Sequence, residues 1–70
     1  MKFVEGTSSI NWYFSADDGN EYRTTGSGDY WERLYGESWE TVVNYAEETQ
    51  LRAAWIEYMK NLMVKFDETL

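Results

Sequence analysis

Thr24–Glu40 reads TTGSGDYWERLYGESWE, and the architecture of the whole chain turns on this stretch. A glycine-rich loop stands before a run with helical signals, the order found in phosphate-binding loops. Asp29, followed three residues on by Glu32, fits a capping box in which the Asp29 carboxylate receives backbone N–H groups at a helix start. A carboxylate in that place repels phosphate. The pattern GxGxxG also fails, because Trp31 stands where its last glycine belongs, and the phosphate-loop lysine is missing. The stretch therefore reads as punctuation. Gly26-Ser27-Gly28 closes what precedes it, a short helix spans 30–35, and Gly36 ends that helix with a left-handed cap. Ser38 then caps the next helix, with Glu40 near its positive end.

Downstream, Trp39 to Phe66 contains neither Gly nor Pro. A single helix over that run would be about 42 Å long, awkward for so small a domain. At 100° per residue, Trp39, Val42, Val43 and Ala46 cluster on one side. Leu51, Trp55, Tyr58 and Leu62 form a second stripe, rotated by roughly 160° from the first. One straight helix would have to face two cores, so the pattern predicts two helices, about 39–47 and 50–66, with Thr49 as a cap. DETL, residues 67–70, is expected to fray.

Upstream, SSINWYFSA (8–16) alternates. Ile10, Trp12 and Phe14 fall on one face, with Asn11, Tyr13 and Ser15 on the other, as in a half-buried strand. DDGN (17–20) supplies residues that tolerate positive φ, so a tight turn is expected, and EYRTT returns as the partner strand. The result is a hairpin over residues 8–25, with Phe3 and Val4 available for a short third strand. The expected fold class is α+β: an N-terminal antiparallel β-hairpin, with or without that third strand, packed against three C-terminal helices.

Seventy residues make one small acidic domain, 1–70. Such a chain buries only about 60% of its unfolded surface, and with no Cys there is no disulfide to reinforce it. Four Trp, six Tyr and three Phe are the remaining route to a core. MKFVEGTSSI lacks the apolar run of a signal peptide, and no stretch suits a bilayer, so a cytoplasmic, intracellular setting is expected. Thirteen acidic against six basic residues give a net charge of −7, a field that repels nucleic acid and anionic membranes and attracts basic surfaces.

The absence of His and Cys removes the commonest general base and the best thiol nucleophile. Asp17 and Asp18, with Glu21 nearby, are the only paired carboxylates worth weighing for hydrolysis, and they sit in a turn where Asp is expected for backbone reasons. With Asn20 they also offer hard oxygen ligands, but the spacing does not match the EF-hand loop. Neither catalysis, cofactor nor metal is expected.

Aromatics beside carboxylates are the informative feature. Tyr13, Tyr22 and Tyr30 are candidate anchors for a partner. Asp17, Asp18, Glu21, Asp29, Glu32, Glu40, Glu47 and Glu48 are candidate charges, able as a set to imitate a short ladder of phosphates. In size, acidity, aromatic content and lack of Cys the chain resembles the small proteins that phages and plasmids make against host defence, anti-restriction and anti-CRISPR proteins among them. That resemblance implies a non-enzymatic inhibitor occupying the basic, nucleic-acid-binding surface of a larger protein in the host cytoplasm. The alternative is a small homodimeric assembly protein that uses the second apolar strip, Ile56, Met59 and Met63, and whose acidity only confers solubility.

Overall fold

The computed structural model describes residues 1–25 and 27–68, with side chains through residue 65. Five strands, β1 (Phe3–Thr7), β2 (Trp12–Ala16), β3 (Glu21–Thr24), β4 (Trp31–Tyr35) and β5 (Ser38–Thr41), precede one helix, α1 (Tyr45–Glu68). The strands form a single antiparallel meander in the order β1-β2-β3-β4-β5. The expected hairpin against three helices is thus corrected to a five-stranded sheet carrying one helix.

The stretch Thr24–Glu40 holds the difference. Trp31–Tyr35 and Ser38–Thr41 are the arms of a second hairpin, where helices over 30–35 and from residue 39 were expected. Gly36 does adopt positive φ (59°), as a left-handed cap would require. It does so as the first residue of the two-residue loop Gly36-Glu37 between the paired residues Tyr35 and Ser38, a glycine-first pattern favoured by tight hairpins. Aromatic Tyr30 and Trp31 behind Asp29 also favour a pleated, half-buried strand over a helical turn.

Among the described residues one helix follows. Asn44 caps it: its Oδ1 accepts the Glu47 N–H (3.0 Å) and its carbonyl accepts the Glu48 N–H (2.9 Å). The 160° jump between the two apolar stripes therefore marks a strand-to-helix boundary rather than a break within a helix. Trp39 belongs to β5, Val42 and Val43 lie between the elements, and Thr49 caps nothing, its hydroxyl donating back to the Tyr45 carbonyl (2.9 Å). The helix continues through Glu68, while residues 69 and 70 and Gly26 lie outside the described residues.

Strands β2 and β3 flank the DDGN turn. The Gly19 N–H donates to the Ala16 carbonyl (3.1 Å) and the Ala16 N–H to the Asn20 carbonyl (2.9 Å), with Gly19 at φ 87°. That is a three-residue loop closed by a bulge. Ile10 is 94% exposed and precedes the strand, so it does not share a buried face with Phe14.

Register places Trp12, Thr24 and Trp31 in one row on the inner face, and Phe14, Tyr22 and Arg33 in the next. Helix α1 covers this face with Leu51, Ala54 and Trp55. Aromatics fill the interface. Phe14 stacks on Phe3 (4.3 Å) and meets the edges of Trp55 (5.6 Å) and Tyr58 (5.1 Å), an arrangement that orients rings as well as burying them. The Gly28 carbonyl accepts the Trp31 indole N–H (2.7 Å), and Gly28 packs on the Trp55 ring. The glycine-rich loop therefore seals the core and leads into a strand, so it offers no helix N-terminus to an anion.

A helix of this length runs about 36 Å. The sheet is roughly 20 Å across at ordinary strand spacing, so α1 overhangs the β1 edge and stretches the molecule to 39 Å against 23 and 21 Å. Among the described residues no helix is long and apolar enough to cross a membrane.

Candidate binding site on the outer face of the sheet

The face turned away from α1 carries Tyr13, Ser15, Glu21, Arg23, Glu32, Leu34, Trp39 and Thr41 by strand alternation. Tyr13 on β2 and Trp39 on β5 lean across the two strands between them until their rings meet edge to face (5.8 Å). Arg23 on β3 lies over the Trp39 ring (4.5 Å) and donates through Nε to Glu32 Oε1 (2.6 Å). The Glu32 hydrogen bond raises the Arg23 pKa above its ordinary value. At the far end of β4, the Tyr30 and Thr41 hydroxyls share a hydrogen bond (2.8 Å).

Beside this aromatic bridge runs a groove of about 210 Å³, lined by Glu5, Gly6, Thr7, Tyr13, Ser15, Glu21 and Trp39 over the backbone of Phe14 and Tyr22. The small Ser15 side chain leaves space there, and the two carboxylates and two rings give the groove its chemistry. Past Ser15 and Glu21 it opens into a depression beneath the β2–β3 and β4–β5 turns, reaching Gly19, Asn20, Leu34 and Gly36. The meander puts both turns at this end of the sheet, so Asp17, Asp18 and Glu37 gather here with Glu21.

The eight candidate carboxylates do not form a ladder. Asp17, Asp18 and Glu21 share the turn end, where Asp17 Oδ1 accepts the Lys2 N–H (2.9 Å) and Asp18 Oδ1 the Asn20 N–H (2.9 Å). Asp29 lies in the loop at the opposite end, 3.9 Å from Arg52 Nε. Glu32 is paired with Arg23, and Glu40 points to the helix side of β5 opposite Arg33. Glu47 and Glu48 occupy the first turn of α1. This dispersal overturns DNA mimicry, and with it the anti-restriction and anti-CRISPR inhibitor drawn from composition, which neither the fold nor the comparisons below support.

Of the tyrosine anchors, Tyr13 and Tyr30 are exposed on the outer face. Tyr22 is not available to a partner: it is 1% exposed on the inner face, because its β3 position pairs it with Phe14 and Arg33. Its hydroxyl donates to Glu47 Oε1 (3.1 Å), which also accepts from Arg33 Nη1 (3.1 Å). Burial first, then the negative charges of Asp18 and Glu47, raises the Tyr22 pKa above its ordinary 10.0. This trio ties the start of α1 to the sheet.

Glu5 and Trp39 are the site residues that sequence reasoning missed. Trp39 was placed on a helix, and nothing in the sequence brings β1 beside it. Among the described residues no group of three or more carboxylates is arranged to hold a metal ion. No protein-family model, curated protein or solved structure matches the chain.

Proposed function

We propose that this chain is a non-catalytic binding domain whose outer sheet face receives a basic segment of a partner protein. The observation that carries the reading is the groove in which Glu5 and Glu21 flank Tyr13 and Trp39. Aromatic faces contribute contact area at low entropic cost, and unpaired carboxylates beside them select cationic partners. The net charge of −7 speeds encounter with such partners and disfavours nucleic acid. A cytoplasmic setting belongs to the same proposal.

Calorimetric titration with a hepta-arginine peptide at rising salt tests it. Binding that weakens with salt, and weakens again in the Glu5→Gln/Glu21→Gln double variant, is expected. Absence of binding at low salt, or affinity indifferent to both carboxylates, contradicts it.

A second reading rests on a separate observation. The overhanging part of α1 leaves Ile56 half exposed and Met63 66% exposed, with Met59 packed against the core. A self-associating assembly protein would cover that strip, and sedimentation at rising concentration, with Met63→Lys as the disrupting variant, distinguishes this reading from the first.

A further inference from the structure

The molecule builds the same three-part arrangement twice from its own side chains. Arg23 lies over Trp39 (4.5 Å) with Glu32 Oε1 2.6 Å from its Nε. Arg33 lies over Tyr35 (4.1 Å) with Glu47 Oε1 3.1 Å from its Nη1. In each, a guanidinium stacks on a ring while a carboxylate takes its N–H, which a planar, forked cation does and a compact ammonium does not. The outer groove repeats two of the three parts: the Tyr13 ring, next to the Trp39 ring that Arg23 already covers, and the Glu5 and Glu21 carboxylates. None of the six cationic residues lines it among the described residues. Arg23 and Arg33 are engaged as described, Arg52 stands by Asp29, and Lys2, Lys60 and Lys65 lie elsewhere.

We propose that this groove is a receptor for one arginine side chain presented by the basic partner, with the guanidinium against the Tyr13 ring, beside the Trp39 that Arg23 covers, and its N–H groups directed to Glu5 and Glu21. The inference deepens the binding reading above and rests on it. Size agrees: about 210 Å³ falls below the roughly 300–1,000 Å³ of small-molecule pockets and suits a single side chain.

The test is an NMR titration with acetyl-Gly-Arg-Gly-amide and its lysine and citrulline counterparts, following the Trp39 indole N–H and the Glu21 amide. The arginine peptide is expected to move both signals and to bind roughly two- to fivefold more tightly than the lysine peptide, the factor that one exposed cation–π contact supplies. Citrulline, shaped alike but neutral, is expected to bind no more than a glycine tripeptide does. Tyr13→Leu is expected to lower the arginine affinity to that of lysine in a chain that stays folded, with the melting temperature a few degrees lower for the lost contact with Trp39. Equal affinity for arginine and lysine overturns the receptor, as does an arginine response away from the groove. The binding reading survives that result if hepta-arginine still depends on Glu5 and Glu21, and falls with the receptor if it does not.

Discussion

Replacing Gly6 by alanine tests the packing that joins β1 to the rest of the sheet. A Cβ at Gly6 stands 2.5 Å from Phe14 Cε1 and closer still to Cδ1. The ring has no room to retreat. It is 3% exposed, stacked on Phe3 at 4.3 Å, and met edge-on by Tyr58 and Trp55. Two effects oppose each other. Alanine narrows the unfolded ensemble and stabilises by up to about 1 kcal/mol where the backbone accepts it, and Gly6 has no positive φ to forbid it. Overpacking against a fixed ring costs about 1–3 kcal/mol. The steric effect wins, for a net loss of about 1–2 kcal/mol. A domain of this size holds roughly 4–10 kcal/mol in total, so the melting temperature is expected to fall by roughly 5–15 °C.

Thermal and urea unfolding by circular dichroism measure that loss, with Ser8→Ala as a control. Phe14→Leu in the same chain trims the ring that the new methyl meets, so the double variant is expected to lose less than the two single losses combined. An unchanged melting temperature for Gly6→Ala, or strict additivity with Phe14→Leu, would refute the pairing of Gly6 with Phe14 that sets the β1–β2 register.

Further outcomes follow from the helix start. Removing the cap with Asn44→Ala is expected to cost about 1 kcal/mol, read as a lowered urea midpoint with an unchanged slope. The raised Tyr22 pKa means that above pH 10 the unfolded chain gives up the phenolic proton before the folded one does. Stability from this group is therefore complete below pH 10 and is lost as pH rises through the higher folded value. Tyr22→Phe is expected to flatten that alkaline decline, read as the urea midpoint against pH.

How much of this was readable from residues alone depends on where each signal came from. Strands β2 and β3 were readable because Trp12 and Phe14 alternate with Tyr13 and Ser15 ahead of a turn rich in Asp, Gly and Asn, although Tyr22, expected as an anchor, faces inward. The Leu51–Trp55–Tyr58 stripe of α1 was readable for the same reason at helical period. The β4–β5 hairpin was not. Its inner positions hold Arg33, Tyr35 and Glu40 while its outer ones hold Leu34 and Trp39, so hydropathy does not alternate. The chain also contains two acid-ended capping patterns, Asp29 to Glu32 and Asn44 to Glu47. Only the second starts a helix, because the first runs into Tyr30 and Trp31, whose rings bury better on a sheet. The groove was the least readable feature. Tyr13 was placed outward by simple alternation, but Glu5 and Trp39 come from opposite edge strands and converge only when all five strands are in place.

Mapping amide chemical-shift changes over the whole chain during a hepta-arginine titration shows whether the outer sheet face, rather than the helix or the scattered carboxylates, meets the partner. Changes are expected to concentrate at Glu5–Thr7, Tyr13–Ser15, Glu21 and Trp39. Changes centred on α1, or spread evenly over every acidic residue, would rule out the outer face as the binding surface.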